Sequence, residues 1–116
     1  MKDWIDELFK LLPKGRVSIS QEDLLEHSYD AWSVSIKTRQ QGKKDFFPDV
    51  IIYPQSEKEV STLLAWASES KVPITPWGAG SAVTGAPLPL TGGVSLDMSR
   101  MNKILNLDQK NLTVTV

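Results

Sequence analysis

The chain has 116 residues, with 13 Lys+Arg against 14 Asp+Glu, no cysteine and a single histidine, His27. That length fits one domain. The composition excludes disulfides, thiolate chemistry and cysteine metal sites, leaves no histidine-based metal site within one chain, and offers nucleic acid no basic stripe beyond the Lys43-Lys44 pair.

Residues 3–12 read as a helix, because Ile5, Leu8, Phe9 and Leu12 recur at the spacing of one helical face. Pro13 and Gly15 end it. This acidic, amphipathic start lacks the basic n-region and apolar h-region of a secretory signal. No apolar run approaches membrane-spanning length, so the expected location is the cytoplasm. Ser20 has the character of an N-cap, with Asp23 three residues on, for a short helix carrying Leu24 and Leu25. Residues 29–47 sustain no period. Tyr29-Asp30-Ala31-Trp32 and Phe46-Phe47 are apolar enough to pack.

Val50-Ile51-Ile52-Tyr53 is a β-branched run of the kind found in strands covered on both faces. Pro54 stops it, and Ser56-Glu57-Lys58-Glu59 is a capping box. The helix that follows carries Val60, Leu63, Leu64 and Ala67 on one face, with Trp66 at its rim. Val72-Pro73-Ile74-Thr75 is a second short strand, so strand, helix and strand form a βαβ unit with parallel strands. Past the loop described next, Val94-Ser95-Leu96-Asp97-Met98 alternates apolar and polar residues. Ile104–Leu107 is a further strand candidate, 108–111 is a turn by composition, and Leu112–Val116 alternates cleanly. The chain stops inside that apparent strand. It is expected either to end as a sheet edge or to be one piece of a longer design.

Thr75-Pro76-Trp77-Gly78-Ala79-Gly80-Ser81-Ala82-Val83-Thr84-Gly85 is the segment with chemistry in it. Glycines remove the Cβ atoms that keep a backbone from approaching a ligand, so such a loop can aim several N–H groups at a phosphate. The dinucleotide fingerprint fails: Val83 stands where its third glycine belongs, and prolines follow. The P-loop also fails, since Gly80 and Gly85 are followed by Ala86-Pro87 rather than lysine and a hydroxyl. A helix-dipole site is therefore not supported, which leaves a nest of loop amides. A lone Gly-x-Gly is more often a plain connection. The position after a parallel strand favours a ligand.

Four ordered blocks resemble the start of the flavin-binding domain of the vanillyl-alcohol-oxidase/p-cresol-methylhydroxylase (PCMH) superfamily, in its glycolate oxidase and D-lactate dehydrogenase branch. They are Pro48–Ser56 with Glu59-Val60, Val72–Ser81 with Gly85, Gly92–Ile104, and Asn111–Val114. Residues before Pro48 are similar only through a helix and Tyr29-Asp30. The resemblance implies an α/β (α+β) fold: a first FAD subdomain over residues 48–116, apparently truncated, with a small mixed sheet and helices on one side, preceded by a helical lead-in over 1–47. It implies that Trp77, Gly78, Ala79, Gly80, Ser81, Ala82 and Gly85 bind the FAD pyrophosphate. Ser81 stands where covalently flavinylated members have histidine, so the flavin is noncovalent. Trp77 stands where many members have arginine, which removes a cation. The implied activity is hydride transfer from a 2-hydroxy acid to flavin, with the substrate domain absent, no catalytic residue present and the chain inactive alone.

The alternative class is a stand-alone, non-catalytic domain that binds no flavin and forms a homodimer through the open edge 112–116. A flavin reductase of cell-wall precursor synthesis shares the implied fold, but Gly93–Ser99 favours the hydroxy-acid branch. His27 is expected at the surface or a helix end rather than as a general base, Asp97 as a turn initiator and Arg100 as a solvated cation. Trp4 and Trp32 are expected as core or interface anchors, and Trp77 as the tryptophan that touches ligand.

Overall fold

A computed structural model describes residues 2–116. In chain order they form α1 (Asp3–Leu11), β1 (Val17–Ser18), α2 (Gln21–Glu26), α3 (Ser33–Gln40), β2 (Val50–Ile52), α4 (Glu57–Ser70), β3 (Ile74–Trp77), β4 (Val94–Asp97), a 3-10 turn (Met98–Arg100), β5 (Asn106–Asp108) and β6 (Thr113–Thr115).

The apolar stripe of α1 buries Ile5, Leu8 and Leu12, while Phe9, at its edge, stays 47% exposed. Ser20 caps α2 by accepting the Asp23 N–H at 3.1 Å. Ser56 caps α4 through the Glu59 N–H at 3.3 Å. The reciprocal arm of that capping box goes elsewhere: Glu59 Oε2 accepts from the Gln55 N–H at 2.8 Å and from Arg16 Nε at 2.9 Å. The guanidinium and hydrogen bonds hold the Glu59 carboxyl below the usual glutamate range. Along α4, Leu63 and Ala67 are buried and Leu64 is exposed. Trp66 covers the rim, 5.9 Å from the Trp4 ring, and donates to Glu7.

Four strands order as β1-β2-β4-β3, with β2, β4 and β3 parallel and β1 antiparallel to β2. The two strands of the expected βαβ unit are parallel, but β4 lies between them. Val94 is the shared register point, opposite Val50 on one side and Ile74 on the other. Because β4 is central, all four of its residues are buried, its polar ones included. β3 begins two residues later than its sequence suggests, so Trp77 belongs to the strand and not to the loop.

Alternate residues of a strand face opposite sides of a sheet. Val50, Ile52, Val94 and Leu96 pack with Leu8, Leu12 and Leu63, so α1 and α4 cover one face. This core spans the expected 47/48 boundary. Ile51, Ser95 and Asp97 point the other way, and Asp97 meets His27 at the end of α2. Both faces are therefore covered, where helices on one side were expected.

β1 and α3 were not legible in the sequence. β1 is two residues long and exists because β2 pairs with it. In α3 only Ser35 is buried, so the helix has no apolar stripe to reveal it. β5 and β6 pair only with each other, as a separate hairpin. Asp108 accepts the Lys110 and Asn111 N–H groups in its turn, as expected from composition.

Candidate functional site

Neighbouring parallel strands need a crossover of a dozen or more residues, ordinarily a helix. Between β3 and β4 that crossover is residues 78–93, which hold bends and a turn but no helix or strand. Pro87 and Pro89 keep it from winding into a helix. A structureless connection of this length inside a small domain marks function more often than linkage. It leaves the carboxyl end of a parallel strand, where open α/β sheets bind ligands.

A cleft of about 300 Å³ opens on this loop, lined by Gly78, Ala79, Gly80, Ser81 and Ala82 together with Pro76, Ala86 and Pro87. Five of the seven expected cofactor residues thus share one concavity. Among the described residues, no backbone N–H from Gly78 to Thr84 donates to another protein group. Five of these seven donors belong to residues that line the cleft, Gly78 to Ala82. Gly78 has open space where a Cβ would sit and no left-handed φ, so nothing within the chain requires glycine there. The lining carries no charged side chain. Anion binding would rest on amide dipoles alone, the arrangement called a nest.

Trp77 and Gly85 serve the loop from behind. The Trp77 indole is 6% exposed and packs beneath Gly80, where a Cβ would come within 2.4 Å of Trp77 Cζ2. Gly80 also has φ +64°, which L side chains rarely adopt. The side chain of the tryptophan expected to touch ligand is therefore the floor of the loop, and Trp77 is not among the residues that line the cleft. Below it lies His27, ring centroids 4.6 Å apart.

His27 is 1% exposed, which corrects the surface expectation while keeping its place as the C-cap of α2. Nδ1 lies 2.8 Å from the Asp23 carbonyl and Nε2 lies 2.8 Å from Asp97 Oδ2. Asp97 Oδ1 accepts the Ser99 N–H at 2.8 Å, so the expected turn role holds beside the histidine pair. Tyr53 closes the cluster edge-on to His27. Burial, then the charge of Asp23, push its phenol well above the ordinary tyrosine range. A hydrogen bond from Ser18 holds the Asp23 carboxyl low. Arg100 is exposed, as expected, but engaged: it donates to the Gly15 carbonyl at 2.8 Å and lies over the Tyr53 ring.

The far end of the loop is tied to the segment before α3. Asp30 Oδ2 accepts the Gly85 N–H at 3.0 Å, the Ala31 N–H donates to the Ala82 carbonyl at 2.9 Å, and the Trp32 ring lies against Gly85. A Cβ at Gly85, where φ is +78°, would meet Trp32 Cε3 at 2.7 Å. Asp30 also accepts the Trp32 N–H two residues on, an Asx turn just before α3 whose chemistry is local, whereas the tie to Gly85 has no signal in the sequence.

Among the described residues no group of three or more His, Asp or Glu side chains is placed to hold a metal, and no helix is long and apolar enough to cross a membrane.

Comparison with known proteins places the chain in a family. Residues 48–116 match the family described as "FAD binding domain". The glycolate oxidase subunit GlcD of Bacillus subtilis (strain 168) is 36% identical over 115 residues, covering 99% of this chain and 23% of that protein. A D-lactate dehydrogenase of Anaerostipes hadrus is 30% identical over 110 residues, covering 95% of this chain and 22% of its own length. Among solved structures, an alkyldihydroxyacetonephosphate synthase superposes with a TM-score of 0.86 at 28% identity, over 98% of this chain and 22% of that one. A p-cresol methylhydroxylase superposes with a TM-score of 0.73 at 21% identity, over 91% of this chain and 20% of that one, which is a likeness of fold. The chain spans less than a quarter of the length of the curated relatives it matches.

Proposed function

The chain belongs to the FAD-binding-domain family, and from that premise we propose that its 78–85 loop cradles the pyrophosphate of a noncovalent FAD within a flavin-dependent 2-hydroxy-acid oxidoreductase. FAD is the cofactor of the family, and the fold is that of a PCMH-type domain. The observation that carries the reading is the run of N–H groups without protein acceptors from Gly78 to Thr84, five of them on residues that line one cleft, Gly78 to Ala82. A pyrophosphate supplies several charged acceptors to such a run, and hydrogen bonds to charged groups are the strong ones.

The roles divide by position. Gly78, Ala79, Gly80, Ser81 and Ala82 offer amides from the cleft wall. Trp77 and Gly85 hold the wall in place. Ser81, exposed in the loop, has no nucleophilic ring nitrogen for a flavin link, which supports noncovalent binding. When bound, the flavin supplies a hydride acceptor for the α-carbon of glycolate- or D-lactate-like substrates. On this reading the chain is inactive alone, because such catalysis needs flavin and substrate oriented together. A cytoplasmic location belongs to the same proposal.

Titration of the purified chain with FAD, followed by flavin absorbance and fluorescence quenching, tests this. Saturable binding without turnover of glycolate or D-lactate is expected. Absence of binding at millimolar FAD sinks the cradle.

The β5–β6 hairpin favours a second reading. Among the described residues it pairs with no other strand, and Leu112, Val114 and Val116 are 91%, 54% and 77% exposed. On this reading the chain is a non-catalytic domain that forms a homodimer through the 112–116 edge. Sedimentation across a concentration series distinguishes the two, since a monomer at all concentrations removes the second reading.

A further inference from the structure

We propose that Asp30 is the positioning residue of the 78–85 loop, acting through a strap, Asp30–Trp32, that fixes the spacing of the loop amides before any ligand arrives. The inference rests on the FAD-pyrophosphate reading of that loop for its ligand, and on geometry alone for the strap.

Asp30 is 4% exposed and, among the described residues, no lysine, arginine or histidine pairs with it. A buried carboxylate without a cation is costly unless hydrogen bonds compensate it. Here three donors do so: Trp32 N–H at 3.0 Å and Ser35 Oγ at 2.8 Å on Oδ1, and Gly85 N–H at 3.0 Å on Oδ2. Two of the donors lie at the start of α3 and the third lies in the glycine loop, so one side chain joins the two segments. A carboxylate side chain can accept at both oxygens, as Asp30 does here. Asparagine presents a donor to one side and must face Gly85 or Trp32 with the wrong group.

The other two residues of the strap act on the same stretch. Ala31 ties the Ala82 carbonyl, and the Trp32 ring backs Gly85. The loop is thus held at Ala82 and Gly85 from outside and floored at Gly80 by Trp77. Between these points the donors from Gly78 to Thr84 are uncommitted. A loop already held in its binding form loses less freedom when ligand binds, so pre-organisation appears directly as affinity.

The test compares the 116-residue chain with Asp30→Asn, Asp30→Ala and, as a control for lowered stability far from the loop, Leu63→Ala. Two quantities are read: hydrogen exchange of the Gly85 amide without ligand, and FAD affinity by fluorescence quenching. The expected result is Gly85 exchange faster by about tenfold or more and FAD affinity weaker by about tenfold in the Asp30 variants, the scale of losing hydrogen bonds to a charged group. Leu63→Ala should melt earlier with unchanged FAD affinity. If Asp30→Ala does not fold, Asp30→Asn carries the comparison. Unchanged Gly85 exchange in a folded Asp30 variant overturns the strap. Equal loss of FAD affinity in Leu63→Ala overturns positioning in favour of general stability. If the wild-type chain binds no FAD while Gly85 exchange still accelerates in the variants, the strap stands and the ligand reading falls.

Discussion

His27 Nε2 lies 2.8 Å from Asp97 Oδ2, joining positions seventy residues apart beneath the glycine loop. With Nδ1 2.8 Å from the Asp23 carbonyl, both ring nitrogens face oxygen atoms. The histidine also packs under the loop. It carries Trp77, which carries Gly80.

Removing one partner of a buried pair strands the other. Asp97→Ala should therefore cost about 3–5 kcal/mol, measured by urea unfolding. Adding His27→Leu should recover part of that loss. Strict additivity of the two substitutions would contradict direct coupling.

Gly78 and Gly80 should separate ligand contact from packing. Gly78→Ala adds a methyl where the chain leaves open space, so stability should stay within about 0.5 kcal/mol while FAD affinity falls about tenfold by blocking close approach. Gly80→Ala meets Trp77 and a left-handed φ, and should lose about 1–3 kcal/mol of stability whether or not FAD binds. Equal effects of both substitutions on melting temperature would remove the distinction. Unaltered FAD affinity in Gly78→Ala would count against the cradle.

The lead-in and the remainder should unfold together. Leu8 is fully buried in the same cluster as Val50, Leu63 and Val94, so Leu8→Ala should cost about 2–5 kcal/mol in a single transition. Two resolved transitions, with Leu8→Ala shifting only one, would show a separate N-terminal unit.

Glu59 should give the stability curve an acid limb. Its pKa is lowered in the folded chain, chiefly by Arg16. The stability it confers is therefore present above the unfolded value of about 4.3 and is lost as pH falls through the folded value. Glu59→Gln should lose about 1–2 kcal/mol near neutrality, and the gap from wild type should close in acid. Parallel curves from neutral to acid pH would refute this.

If the exposed hairpin drives self-association, Val114→Lys on its edge strand should shift a concentration-dependent dimer to monomer in sedimentation, without lowering the melting temperature. A dimer that persists unchanged would exclude the 112–116 edge as its interface.

The expected helices and most strands carried local signals, and the structure places them within a few residues. The stripe of α1, the Ser20 and Ser56 caps, the β-branched run at Val50 and the turn at Asp108 are examples. What failed depended on neighbours. Leu64 and Phe9 have core-like identities but lie at stripe edges, where a period alone cannot tell the buried side. α3 has no stripe, and β1 is strand only by pairing.

Order along the chain was enough to locate the glycine loop, the strand before it and the prolines that keep it irregular, because glycine and proline act on their own backbone. How that loop is held was decided by contacts across the fold. Trp77 looks like a ligand contact in sequence and becomes a floor, because β3 runs two residues further once β4 pairs with it. Asp30 and His27 reach the loop only when segments fifty-five and seventy residues away come beside them. A carboxylate's role depends on which donors surround it in space, and no local pattern encodes that.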